Sequence, residues 1–184
     1  MRFGKLPILL MFVGAATAAL AHGKATGIVK ERMDGMVELQ EAMKAIGPMV
    51  QGKTDFDANV VREQAARMKA HAGDAISEKF PEGSGGMPSE ANAEIWQDWE
   101  TFVDLAIRLE MLSTALEQGA ENGLMKDSSH GSMMNSETMQ DMMSGNMTEM
   151  MDTNQLAEMP VDGLFMMIGK TCSACHEKFR TKME

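Results

Sequence analysis

The chain has 184 residues, enough for one ordinary domain, and carries a formal net charge of −10 at pH 7. No basic patch offsets this charge, which argues against a nucleic-acid partner and favours solubility and the docking of basic proteins. Only two residues are cysteine while 22 are methionine, so both residue types call for an explanation.

The N-terminus has the parts of an export signal. Arg2 and Lys5 give a positive start, a short apolar run follows, and Ala19-Leu20-Ala21 is a small-residue cleavage site. A membrane anchor is the alternative, but the apolar run is shorter than the ~20 residues that a spanning helix needs. We therefore expect a signal peptide at residues 1–21 and one periplasmic domain at residues 22–184, with no membrane attachment after cleavage.

Apolar residues recur at three- and four-residue steps in four segments, which predicts four amphipathic helices. The first runs from about Gly27 to Ile46 and ends or kinks at Gly47-Pro48. The second begins near Asp55 to Asp57, where an aspartate can cap the first turn. It ends before a loop, rich in glycine and proline, that starts at Phe80.

The third helix is predicted from Ser89, as its N-cap, to about Gln118, with Gly119 suited to its end. The fourth begins after Pro160, and both cysteines fall on its apolar face. No segment has the alternating pattern of a β-strand. Four amphipathic helices with short connections indicate an all-α protein, an antiparallel four-helix bundle.

A polar, acidic and methionine-rich segment at about 125–154 lies between the third and fourth helices. Ten methionines lie from Met125 to Met159, and His130 stands among them. Thioethers are soft ligands that select Cu(I) over hard ions, so one interpretation is a Cu(I) or Ag(I) site that makes the chain a copper-binding protein. The alternative is a flexible loop or an adaptable docking surface, for which methionine is equally suited.

Both cysteines occur in the sequence TCSACHEKFR, where Cys172 and Cys175 are followed directly by His176. Cys-x-x-Cys-His is the attachment signature of a c-type haem. Residues three apart share a face of a helix, so the two thiols can bind the two vinyl groups of one porphyrin. His176 can then ligate the iron, and the motif predicts one covalent haem c.

Three other kinds of site use similar residues. A disulfide across two intervening residues would constrain little. A thioredoxin-like pair usually stands at the start of a helix in a strand–helix fold, whereas this pair is late in a helix of an all-helical chain. A zinc site needs four ligands, and the motif supplies three with no second cluster of cysteine and histidine. Haem attachment is therefore the favoured interpretation.

The motifs and their order resemble the class II cytochromes c, the family of cytochrome c prime and its low-spin relatives. The resemblance rests on CSACHEKFR near the C-terminus, on FPEG at Phe80–Gly83, on IWQDWETF at Ile95–Phe102, and on MKAIG in the first helix. It covers nearly the whole chain after the signal except the methionine-rich segment. It implies a bundle of the cytochrome c prime type, single-electron transfer between redox partner proteins, and a homodimer as one option.

The resemblance also implies which residues surround the haem. Arg32 matches an arginine that lies near a haem propionate, and Met36 matches the residue on the distal side of the iron. Met36 can be the second axial ligand of a low-spin haem, which suits electron transfer. If Met36 only packs there, the iron is five-coordinate and open to nitric oxide. Arg180 either approaches a propionate or stabilises the C-terminal end of its helix.

Three further side chains have structural interpretations. Trp96 and Trp99 stand three apart, so we expect one to pack against the haem or the core and the other to lie at the surface or in a dimer contact. His71 is interpreted as a surface or half-buried residue of the second helix rather than a ligand. The chain shows no acid/base pair or nucleophile arrangement, so we expect no enzymatic activity.

Overall fold

The computed structural model describes residues 25–86, 88–125 and 152–181. These residues form seven α-helices: α1 Gly27–Val50, α2 Ala58–Ala70, α3 Asp74–Ser77, α4 Glu94–Gln97, α5 Trp99–Gln118, α6 Thr153–Ala157 and α7 Val161–Phe179. A 3-10 turn, Ala120–Asn122, follows α5. The expected signal peptide and most of the methionine-rich segment lie outside the described residues.

The four long helices α1, α2, α5 and α7 correspond to the four predicted ones, and the prediction of an all-α bundle is confirmed. Helix α5 packs against both α2 and α7, whereas α1 packs mainly against α2 and touches α7 only sparsely. In the described part of the chain, every helix is too short or too polar to span a bilayer.

Helix α1 continues through Gly47-Pro48, where the sequence predicted either an end or a kink. Pro48 lies inside its last turn and the helix ends at Val50. A proline removes one hydrogen bond of the helix. Ile46 and Met49 are both buried in the core on either side of it, and most helical stability in proteins comes from such packing. The predicted boundary at Ile46 is therefore four residues short.

Helix α2 begins as predicted but ends earlier. The carboxylate of Asp57 caps it by accepting hydrogen bonds from the backbone N–H groups of Asn59 and Val60, at 2.9 and 3.3 Å. The helix stops at Ala70 because Gly73 takes a positive φ of 55° and donates its N–H to the carbonyl of Ala106 at 2.9 Å. A glycine adopts this conformation without strain, and the chain then restarts as α3.

The third predicted helix is divided near its start. The hydroxyl of Ser89 accepts a hydrogen bond from the N–H of Ala91, so Ser89 makes a local turn and does not cap a long helix. The long helix α5 starts at Trp99 and is capped by Asp98. Its end at Gln118 agrees with the prediction. The segment before α4 is bonded to the end of α7, since the N–H of Asn92 donates to the carbonyl of Phe179 at 3.1 Å.

The buried apolar side chains of the described residues form two hydrophobic clusters. The main core lies between the four long helices, and its fully buried members include Ile46, Val61, Met68, Leu112, Leu116, Leu164 and Ile168. A smaller aromatic cluster consists of Phe80, Ile95, Phe102 and Phe179. The ring of Phe102 meets those of Phe80 and Phe179 edge to face, with centroids 4.9 and 5.4 Å apart. This aromatic cluster joins the end of α7 to α5 and to the loop after α3.

Candidate functional site

The two cysteines lie where the hydrophobic clusters meet. Cys172 packs against the main core and Cys175 packs against the aromatic cluster, because the two residues are three apart on α7. Both are free thiols. Burial raises the pKa of Cys172, and burial together with the nearby Cys172 raises the pKa of Cys175 to about 11. Both side chains are therefore neutral thiols at neutral pH.

His176 lies on the exposed side of the last turn of α7. Partial burial lowers the pKa of His176, and the positive charge of Arg180 lowers it further, while Glu90 acts in the opposite direction. The net effect favours neutral imidazole, the form that ligates a metal. The residues between the cysteines, Ser173 and Ala174, are also exposed, so the motif reaches the surface of the protein.

Arg32 is buried in α1, with 4% of its surface exposed. Its Nη1 donates to the hydroxyl of Ser84 at 3.0 Å and to the carbonyl of Lys79 at 3.4 Å, and its Nη2 donates to the carbonyl of Ser84 at 2.7 Å. The guanidinium also lies over the ring of Phe80, 4.6 Å from the centroid. These contacts hold the loop after α3 against α1.

The charge of Arg32 is only partly compensated. Burial lowers its pKa, yet an arginine remains protonated in proteins. Its Nε is buried without a hydrogen-bond partner, and no ion pair of the described residues includes it. A buried cation with a free N–H suits an anionic group such as a carboxylate.

Met36 is half-buried, packs against the main core, and lines a small, partly open space together with Arg32. This space, about 10 Å³ in volume, lies between α1 and the end of α2, and we call it the α1–α2 cavity. It is lined by Arg32, Gly35, Met36, His71, Ala75, Ile76, Lys79 and Phe80. The structure thus brings Arg32 and Met36 to one side of α1, and the ligation of iron by Met36 stays a prediction.

His71 is the residue that sequence reasoning set aside and that the structure brings to the same place. It is half-buried as expected, but its Nδ1 is buried without a hydrogen-bond partner. No motif contains this histidine. The one sequence feature related to His71 is Gly35, which leaves space beside Arg32 and Met36 on α1. That space can be assigned to the ring of His71 only when the position of α2 relative to α1 is known.

Arg180 is engaged at the end of α7. Its Nε and Nη2 both donate to the carboxylate of Glu90, and its backbone N–H donates to the carbonyl of His176 at 3.2 Å. An isolated bridge pairs Arg180 with Ala91. These contacts agree with the alternative in which Arg180 stabilises the helix end, and its approach to a propionate stays a prediction.

The two tryptophans lie in different environments, one packed and one at the surface, as the sequence predicted. Trp96 packs against the aromatic cluster, and its Nε1 donates to the carbonyl of Phe80 at 2.9 Å. Trp99 is 41% exposed and its ring lies 5.5 Å from that of Phe102. Trp96 thus fixes the loop that Arg32 also holds, while Trp99 remains on the surface.

The side chains of this region fit a c-type haem. Cys172 and Cys175 provide two free thiols on one face, and His176 provides an adjacent imidazole. Arg32 provides a buried cation that has no acidic partner in the described part of the chain. A helical bundle with this set of donors near its C-terminal end defines a haem-binding protein of the class II cytochrome type.

Comparison with known families agrees with that class. The family model described as Cytochrome C' matches residues 27–137, and the chain belongs to the cytochrome c' family. The match ends before Cys172, in the methionine-rich segment. Membership of this family implies a covalently bound haem c. No curated protein sequence matches the chain.

Solved structures of cytochromes c' have the same fold. The protein of Thermochromatium tepidum is 21% identical with a TM-score of 0.58, and the alignment covers 84% of this chain and 95% of that one. A mutant of the Rhodopseudomonas palustris protein is 22% identical with a TM-score of 0.58, covering 86% and 100%. The ferric protein of Alcaligenes xylosoxidans is 19% identical with a TM-score of 0.56, covering 85% and 94%. Similarity at these identities shows the fold.

The hydrogen bonds of Arg32 lead to a stability prediction. Replacing Arg32 by leucine removes three part-buried hydrogen bonds to Ser84 and Lys79. We expect Arg32→Leu to lower the free energy of unfolding of the haem-loaded protein by about 1.5–3 kcal/mol. Urea unfolding followed by circular dichroism measures the change.

The matched control is Arg62→Leu, which removes an arginine that is 41% exposed and paired with Glu121. A surface pair of this kind contributes roughly 0–1 kcal/mol. If Arg32→Leu costs no more than the control, the guanidinium does not hold the loop after α3.

Proposed function

We propose that the chain is a periplasmic class II cytochrome c that carries one covalent haem and passes single electrons between redox partner proteins. The observation that carries this proposal is the arrangement on α7. The chain's only two cysteines are free, share one helical face at the junction of the two clusters, and directly precede His176. No substrate is turned over.

Cys172 and Cys175 would hold the haem by thioether bonds, and His176 would supply a nitrogen ligand to its iron. When bound, the haem provides an iron that accepts and releases one electron between its ferric and ferrous states. The packed main core beside Cys172 keeps the surroundings rigid, so little rearrangement accompanies the change in charge. Exposed Ser173 and Ala174 place the attachment point at the surface, where a partner can approach.

The net charge of −10 sets the kind of partner. An acidic protein attracts basic surfaces over a distance of about 8–10 Å at physiological ionic strength and accelerates their encounter. We propose donors and acceptors with basic docking surfaces, because complementary charge raises the association rate of short-lived complexes.

Haem attachment is tested on protein matured in a host with cytochrome assembly machinery. Mass spectrometry of the purified protein is expected to give the polypeptide plus one haem, retained after acid extraction. Cys172→Ala and Cys175→Ala should each retain the haem through one thioether, and the double variant should release it. Colourless wild-type protein with the mass of the bare polypeptide would refute the proposal.

We propose Met36 as the second axial ligand of a low-spin iron. In support, Met36 shares the α1–α2 cavity with Arg32, whose buried guanidinium suits a propionate. A thioether opposite an imidazole raises the reduction potential and suits electron transfer. The alternative is a five-coordinate iron in which Met36 only packs, and that protein would bind nitric oxide instead.

The optical spectrum of the ferrous protein separates these two cases. Wild type is expected to be low-spin and Met36→Ala high-spin, because alanine cannot ligate. The matched control is Met33→Ala, which changes another half-buried methionine of α1 and should stay low-spin. A wild-type spectrum that is already high-spin removes Met36 as a ligand and selects the gas-binding function.

The methionine-rich segment at 125–154 motivates a second proposal, a Cu(I) site beside the redox centre. Its support is the sequence alone, since residues 126–151 lie outside the described residues. Competition titration with a Cu(I) chelator should give weaker binding for a chain that lacks residues 128–152 than for the full chain. Both proteins should keep the same haem spectrum, and equal Cu(I) affinity would dismiss the idea.

A further inference from the structure

Two buried nitrogen atoms beside α1, Nε of Arg32 and Nδ1 of His71, have no hydrogen-bond partner among the residues that the structure describes. Both residues line the α1–α2 cavity. An unpaired buried polar atom destabilises the folded state, and the large majority of buried polar atoms in proteins are paired. Two of them on one cavity indicate a shared partner.

The position of His71 is set by the packing of α2 on α1. His71 follows the last residue of α2, where its backbone N–H donates to the carbonyl of Met68 at 3.0 Å. Its ring lies against Gly35, since a Cβ at Gly35 would be 3.4 Å from Nδ1. Gly35 is three residues after Arg32 on α1, so the two positions share one face of that helix. The ring of His71 therefore packs on the face that carries Arg32.

The charge around the cavity favours an anion. Arg32 and Lys79 are the charged residues that line it, and both are cations. Neither takes part in an ion pair of the described residues, although the chain contains 27 aspartates and glutamates. The cavity is partly open, and its volume of about 10 Å³ is close to the space that one water-sized oxygen atom needs.

We propose that Arg32 and His71 together bind a carboxylate, one propionate of the haem, so that His71 is a positioning residue for the cofactor. One carboxylate oxygen accepts from the Nε–H of Arg32 and from His71 when its imidazole carries a proton on Nδ1. Charge-assisted bonds of this type are about twice as strong as neutral ones. The inference rests on the proposed function, because the haem brings the carboxylate into the bundle.

Resonance Raman spectroscopy of the haem-loaded protein tests the inference, because the propionate-bending band responds to hydrogen bonds at the carboxylate. His71→Leu is expected to shift this band to lower frequency and to leave the spin state unchanged. His71→Phe, a second variant without a ring nitrogen, should do the same if leucine impairs folding. His71→Gln keeps an N–H donor and should move the band back toward its wild-type position.

The matched control is Arg67→Leu in α2, whose side chain pairs with Glu38 at the surface at 3.6 Å, and it should leave the band in place. An unchanged band in both His71→Leu and His71→Phe overturns the inference. A change of spin state in these variants also overturns it, because His71 would then ligate the iron. Wild-type protein without haem refutes the proposed function itself, and the mass measurement detects that case separately.

Discussion

The guanidinium of Arg32 lies between α1 and the loop after α3, and the arrangement of the site depends on how it is buried. Its hydrogen bonds to Ser84 and Lys79 draw that loop onto α1, and its stacking on Phe80 links it to the aromatic cluster. Through Phe102 the same cluster reaches Phe179, one turn beyond Cys175 on α7. Two helices that touch only sparsely are thereby connected through a shared set of side chains.

A buried cation without an acidic partner is costly, and its cost suggests a role. Proteins usually bury a charge only when it is paired and hydrogen-bonded. Here the backbone and one hydroxyl satisfy part of Arg32, while its Nε and the neighbouring Nδ1 of His71 remain available. The buried core residues of α1, Leu39, Ala42, Ile46 and Met49, follow Arg32 along the same face of the helix. The main core therefore packs against the later turns of α1, Arg32 lies in an earlier turn, and Met36 between them contacts both the core and the cavity.

Most helix positions followed from local pattern, and the differences have tertiary causes. The caps at Asp57 and Asp98 use side chains next to the helix, so the sequence predicts the first of them directly. The early end of α2 was not predictable, because the positive φ of Gly73 accompanies a hydrogen bond to Ala106, 33 positions away in the chain. The extension of α1 through Pro48 was likewise not predictable from the sequence, since it depends on the burial of Met49 against other helices.

The amino-acid sequence by itself determined the helical class and the haem motif, because helix periodicity and the spacing of Cys172, Cys175 and His176 are local properties. It also pointed to Arg32 and Met36 by family resemblance. Only the tertiary structure decided that Arg32 is buried without an acidic partner, that Arg180 is already paired with Glu90, and that His71 faces the same cavity as Arg32. Those facts depend on which side chains meet across helices, and no local pattern in the sequence specifies that.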